Sequence, residues 1–172
     1  MHDGKQNMTV RTRPATEADY AAAGSICVEA YREDGQLAGD YARMLADVGG
    51  RADDTEVIVA EDDASGELLG CVTFTLPGRP WSEISEPGEG EFRMLAVSPK
   101  AQRRGVGTAL VRACMAHALA LGCTAIAICT RDFNEKAIAM YERLGFARIP
   151  ERDWAPMPDV KLIAFRLDLL PS

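Results

Sequence analysis

Residues Glu91–Leu110 read EFRMLAVSPKAQRRGVGTAL, and this stretch decides the fold. Glu91–Val97 has the composition of a strand, Ser98–Arg104 is a short polar connection, and a helix runs from Gly105 to Leu121. Its Val106, Leu110, Ala113, Cys114, His117 and Leu121 recur at helical spacing along one side. The glycines in Gln102-Arg103-Arg104-Gly105-Val106-Gly107 permit dihedrals and close approaches that other residues resist. A first helical turn leaves its N–H groups unpaired at the positive end of the dipole. Strand, glycine turn and helix start together make an anion site built mainly from backbone. Lys100, Arg103, Arg104 and Arg112 add charge, and no acid occurs between residues 92 and 131. The plainer alternative is a solvated helix end beside a glycine turn.

Two familiar phosphate sites do not fit. A Walker loop closes in Gly-Lys-Ser/Thr, which is absent, and a dinucleotide fingerprint needs a third glycine where Leu110 stands.

Outward from this segment, Thr9–Arg13 reads as a first strand ending at Pro14. Thr16 and Asp19 give a capping signal for a helix from Glu17 to about Arg32. Leu37–Val48 forms a second helical segment ended by Gly49-Gly50. The period then changes: Glu56–Glu61 and Leu68–Leu76 read as a hairpin, and Pro77–Gly90 as an irregular loop. Downstream come a buried strand (Ala125–Thr130), a helix (Asn134–Leu144), a strand (Phe146–Ile149), a proline-containing loop (Trp154–Asp159) and a last strand (Lys161–Leu167). The spacing predicts one α/β (α+β) domain over residues 9–170, preceded by a short polar tail, residues 1–8.

Composition narrows the function classes. The chain has 172 residues, 47% of them hydrophobic, enough for one substantial core and too many for a disordered chain. The net charge of −7, from 26 acids and 19 bases, argues against a nucleic-acid partner. No apolar run approaches the ~18 residues of a membrane span, and the N-terminus lacks a basic-then-apolar signal, so a cytoplasmic setting without membrane contact is expected. The 5 cysteines are spread without a CxxC and read as free core thiols. With His2 and His117 as the 2 histidines, no metal site is expected, and His117 reads as a core or boundary residue.

The stretch from Val97 to Gly107 resembles the acyl-CoA-binding motif of the GCN5-related N-acetyltransferase (GNAT) superfamily, Gln/Arg-x-x-Gly-x-Gly/Ala after a strand. Gln102, Gly105 and Gly107 match its specified positions, and Val97-Ser98-Pro99 resembles the segment that precedes it. Asn134–Phe146 is similar to the superfamily's second signature, an Asn opening a helix that ends in Tyr-x-x-x-Gly-Phe. The similarity extends from near Thr9 to about Leu169. It implies a mixed, mostly antiparallel central sheet of six to seven strands, splayed at the cofactor cleft and flanked by about four helices.

The resemblance implies acetyl-CoA as donor, with direct attack by an amine in a ternary complex. A cofactor-binding, catalytically weak regulatory module is the alternative. By similarity, Leu95, Ala96 and Val97 offer backbone groups to the pantetheine arm, and the amides of Arg103, Arg104, Gly105, Val106, Gly107 and Thr108 cradle the pyrophosphate beside Gln102. Asn134 resembles a pantetheine contact and also suits a helix N-cap. Tyr141 resembles the tyrosine that protonates or orients the leaving thiolate. Glu91 resembles the position of a general base that takes a proton from the amine, with Glu89 the alternative through water. Residues 78–91 carry four glutamates and Trp81, suiting a cationic acceptor or simply a solvated loop. Tyr31, Trp81 and Glu89 are the expected acceptor-binding residues, and a homodimer is the expected assembly.

Overall fold

A computed structural model describes residues 9–37 and 40–170. The predicted tail, residues 1–8, lies outside the described residues. The strands are β1 (Val10–Pro14), β2 (Glu56–Asp62), β3 (Leu68–Thr75), β4 (Glu89–Val97), β5 (Ala125–Arg131), β6 (Ala147–Arg148), β7 (Trp154–Met157) and β8 (Val160–Asp168). The helices are α1 (Tyr20–Glu33), α2 (Tyr41–Ala46), α3 (Val48–Ala52), α4 (Val106–Ala120) and α5 (Glu135–Arg143). One mixed sheet runs in the order β1-β2-β3-β4-β5-β8-β6, with β7 also on β8. All its pairings are antiparallel except β4 with β5.

Both faces of the sheet are covered, so its central strands are apolar on both sides. In β2, Ile58 and Ala60 join the layer under α4 with Phe74, Phe92, Leu110 and Cys114. Val57 and Val59 point the other way, into the layer under α1–α3 with Ile26, Cys27, Leu45 and Val48. That alternation explains why Val57–Ala60 reads as an unbroken apolar run. His117, on α4, meets Phe74 edge-on at 4.8 Å between ring centres.

The cleft arises from a local failure of pairing. Parallel β4 and β5 are in register only at Glu89–Ala125, Gly90–Ile126 and Glu91–Ala127. Beyond that point β4 stays with β3 out to Val97, while β5 stays with β8 out to Arg131. On β4 an extra residue is accommodated where Arg93 opposes Thr73 but Ala96 opposes Cys71. This bulge puts Met94 at φ 55°, a left-handed conformation that bends the strand away from β5.

Several boundaries differ from the sequence expectation. The predicted Leu37–Val48 helix is two short helices hinged at Asp47, whose side chain accepts from the Gly50 amide at 3.0 Å. Gly49-Gly50 therefore lie inside α3 instead of ending a helix, while Ala38 and Gly39 fall outside the described residues. Trp154–Met157 is an edge strand, where Pro156 needs no sheet donor. The sheet consequently has eight strands. Five α-helices stand among the described residues. The helix expected from Glu17 begins as a 3-10 turn, Glu17–Asp19, that leads into α1 and carries the expected capping pair: Asp19 accepts from the Thr16 amide at 2.8 Å and clasps Arg13 at 2.7 and 3.0 Å.

Beneath α1–α3 lies a charge without a carboxylate partner among the described residues. Arg51 is fully buried. It donates to the carbonyls of Met44 (2.9 Å), Leu45 (3.2 Å) and Asp47 (3.2 Å), to Thr73 Oγ1 (3.2 Å) and to Cys27 Sγ (3.8 Å). Cys27 and Cys71 are free thiols with their sulfurs 3.1 Å apart. The hydrogen bond from Cys71 and the Arg51 charge outweigh burial and lower the Cys27 pKa.

Candidate active site

The splay between β4 and β5 opens a cleft of about 780 Å³. One end is formed by the α4 turn. Arg103 (φ 65°) and Gly105 (φ 77°) are both left-handed, which folds the chain back before the helix begins. The first α4 bond runs from the Ala109 amide to the Gly105 carbonyl at 3.0 Å, so the amides of Val106, Gly107 and Thr108 precede the intrahelical ladder. A Cβ on Gly105 would meet nothing within 4 Å, whereas one on Gly107 would come within 3.1 Å of Met140 Sδ. The turn is therefore an open cradle of backbone donors, with Gln102, Arg103, Arg131, Lys136 and Arg143 also on the cleft wall. A pyrophosphate fits that donor set.

Most residues expected at the cofactor end share this cleft: Leu95, Val97, Gln102, Arg103, Gly105, Val106, Gly107, Thr108, Asn134 and Tyr141. Gln102 Nε2 donates to the Val97 carbonyl at 3.5 Å, tying the turn to the strand end. Asn134 Oδ1 accepts from the Ala137 amide at 3.3 Å, so it caps α5 while facing the cleft. Two residues lie off the wall. Ala96 is buried in the α1–α3 layer because the pleat turns it away from its neighbours. Arg104 is exposed in the same turn, outside the lining.

Tyr141 is buried among Phe92, Phe146 and Phe165, with ring centres 5.5 to 6.2 Å away, and reaches the cleft. Burial raises its pKa, so the phenol stays protonated at neutral pH and can act as a hydrogen-bond donor.

Of the expected base, Glu91, its alternative Glu89 and the expected acceptor-binding residues, only Tyr31 lines the cleft. Glu91 is fully buried and does not line the cleft. Its carboxylate accepts from the amides of Glu83 (3.1 Å), Ile84 (3.3 Å) and Ser85 (3.1 Å) and from the hydroxyls of Ser82 (3.1 Å) and Ser85 (2.7 Å). Glu89 is buried too, held by Arg152 at 2.6 Å and Arg166 at 2.7 Å. Burial alone would raise its pKa, but the two arginines together outweigh burial and lower it. Trp81 is off the wall as well, packing on the α1–α3 layer. Tyr31 does line the cleft, stacked on Tyr41 at 5.8 Å between ring centres.

Sequence reasoning did not single out what occupies this end instead. Glu83 and Arg93 form an ion pair at 2.7 Å on the wall, beside Cys129. Pro156, Met157, Val160 and Leu162 of the β7–β8 hairpin supply an apolar side. The one signal for that hairpin was a two-residue gap, Pro158-Asp159, between two apolar runs.

A model of the acetyltransferase (GNAT) family matches residues 17–146. The chain belongs to the GNAT acetyltransferase family. Among relatives, the mycothiol acetyltransferase of Saccharopolyspora erythraea is 36% identical over 99 residues, 56% of this chain and 33% of that protein. The chain thus spans about a third of the mycothiol acetyltransferases it matches. The uncharacterized protein YdhI of Bacillus subtilis is 27% identical over 96 residues, 56% of this chain and 52% of that one. The GNAT fold recurs in the Escherichia coli ribosomal-protein-S18-alanine N-acetyltransferase, with TM-score 0.70, 20% identity and coverage of 95% and 96% of the two chains. It recurs in yncA from Salmonella typhimurium, solved with acetyl-CoA, with TM-score 0.66, 23% identity and 95% of each chain covered. The GNAT match ends at Phe146, so the β7–β8 wall lies beyond it.

Proposed function

We propose that this GNAT chain transfers an acetyl group from acetyl-CoA to a primary amine, both bound in the same cleft. The observation that carries the reading is the left-handed turn at Arg103 and Gly105, which leaves the α4 amides facing the open end of a splayed β4–β5 cleft. Bound there, acetyl-CoA would supply an activated thioester. The amides of Val106–Thr108 with Arg103 would hold its phosphates, and the bulged edge Leu95–Val97 would orient its arm. Tyr141 would hold a proton toward the departing sulfur. The E. coli S18-alanine N-acetyltransferase, which shares the fold, supports an amine as the acceptor class.

Titration calorimetry with acetyl-CoA is the direct test: saturable binding at micromolar to millimolar concentration is expected, and no heat at millimolar ligand would refute the assignment. Release of CoA thiol with an amine panel then separates an enzyme from a binding module, which would bind without turnover. Tyr141→Phe should lower kcat roughly tenfold with acetyl-CoA affinity nearly intact, because a thiolate whose thiol has a pKa of about 8–9 needs only modest help to leave. Single-turnover rates equal to wild type would make the hydroxyl dispensable.

A further inference from the structure

Resting on the acetyltransferase reading, we infer that Glu83 is the residue that takes the proton from the acceptor's ammonium group, and that Glu91 is its positioning residue. Glu83 sits at the end of the cleft opposite the phosphate cradle, with its side chain mostly covered. Its Oε1 is engaged by Arg93 Nε at 2.7 Å and by the Cys129 thiol at 3.7 Å. Its Oε2 takes no hydrogen bond from a described residue. The carboxylate is therefore clamped by one oxygen, and the other is left unclaimed by the described residues. Asp34 also reaches the lining, but it is exposed just past α1 and has the Lys136 charge nearby.

The electrostatics agree with the geometry. Among the described residues, Arg93, Glu91, Cys129 and Tyr41 are the titratable groups that face Glu83. Burial raises its pKa, Arg93 opposes that rise and the Glu91 charge adds to it. Burial and the Glu83 charge push the Cys129 thiol up to about 12, so it remains an S–H donor. A carboxylate moved up from its ordinary range is a stronger base, which suits proton abstraction.

Glu91 explains how an irregular loop can hold a catalytic residue. Three consecutive amides, Glu83–Ser85, converge on its buried carboxylate together with two serine hydroxyls. Such charge-assisted bonds fix the turn, and with it the direction of the Glu83 side chain. The proton balance closes. Glu83 takes one proton from R–NH3+, freeing the lone pair. The C–N bond forms as the thioester C–S bond breaks, and a second nitrogen proton goes to the sulfur. Glu83 then releases its proton to solvent, so the products are amide, thiol and one proton. Tyr31, Tyr41, Met157 and Leu162 in the lining suit an amine carried on an apolar body.

The test uses the full chain, with 2-phenylethylamine as a cationic probe and hydroxylamine as a probe already neutral at pH 7. Glu83→Gln should reduce the preference for 2-phenylethylamine over hydroxylamine, in kcat/KM at pH 7, by about a hundredfold or more. It should also remove the acid limb of the 2-phenylethylamine pH profile. Equal losses on both probes, or none, would overturn the inference. Carboxyl-carbon NMR gives a reading that needs no acceptor: the resonance missing in Glu83→Gln should titrate above the ordinary glutamate range in wild type. Titration at or below that range would overturn the inference even if neither probe reacts. Glu91→Gln should reproduce part of the loss and shift the Glu83 resonance, and an unmoved resonance would refute the positioning role. Absence of acetyl-CoA binding in calorimetry overturns the acetyltransferase reading itself. Binding with a normally titrating Glu83 overturns only this inference.

Discussion

Gly105→Asp is expected to weaken acetyl-CoA binding by about a hundredfold while the chain still folds. Gly105 is exposed and a Cβ there meets no atom within 4 Å, so the protein has room for the side chain. The left-handed φ of 77° costs a non-glycine residue about 1–2 kcal/mol, a loss of stability common to free and bound states. The affinity change comes from charge. A carboxylate placed before the α4 amides competes for the donors meant for a phosphate and repels it, at about 4 kcal/mol per charge pair at 4 Å in a partly screened site. Gly105→Ala separates the two effects, since it carries the strain without the charge. Its affinity should stay within about tenfold of wild type. A folded Gly105→Asp protein with affinity within threefold of wild type would remove this turn from the cofactor site.

The second large effect is expected at Arg51, far from the chemistry. Arg51→Ala should cost about 3–5 kcal/mol of stability, because three carbonyls of α2 and the α2–α3 hinge lose a shared buried donor and a cavity opens under α1. For a chain of this size each kcal/mol shifts Tm by roughly 2–4 °C, so a drop of about 10 °C follows. Arg51→Met fills most of the volume but pairs with no carbonyl, and should fall between wild type and Arg51→Ala. Differential scanning calorimetry decides the matter. A Tm within 2 °C of wild type for Arg51→Ala would mean that water replaces the guanidinium at little cost. Tyr41, at the start of α2, faces the cleft, so loss of this anchor should also raise KM for an amine.

The two ends of the cleft differ in how plainly the sequence shows them. The cofactor end is local: Gln102, Gly105 and Gly107 lie within six residues, and the physics of glycine and a helix start can be read from them directly. Asn134 reads as a helix cap from its residue type and place, whereas the part of Tyr141 is implied by the resemblance alone, since helical spacing shows only a packed tyrosine. The acceptor end is assembled from remote parts. Glu83 lies in a stretch with no period, and only the fold of residues 82–85 onto Glu91 aims it. Charge and position pointed to Glu91, but sequence does not reveal that five groups of its own loop already claim that carboxylate. The engagement of Glu89 is hidden in the same way, because Arg152 and Arg166 lie more than sixty residues downstream. The β7–β8 wall was obscured by prolines, which weaken a strand signal even where an edge strand tolerates them.

The three-position contact between β4 and β5 has a mechanical consequence. It divides the sheet into two plates, β1–β4 and β5–β8 with β6 and β7, that share a short spine. At that spine Glu89 of one plate is riveted by Arg166 of the other and by Arg152 beside it. The rivet stands where the plates already touch, while their far margins, near Val97 and Arg131, share no backbone bond. Cross-plate bonding is therefore concentrated at one end, and the gape at the other is bridged by no strand pairing among the described residues. A ligand that bonds to both margins would act as a strut, turning a compliant hinge into a rigid wedge of fixed width.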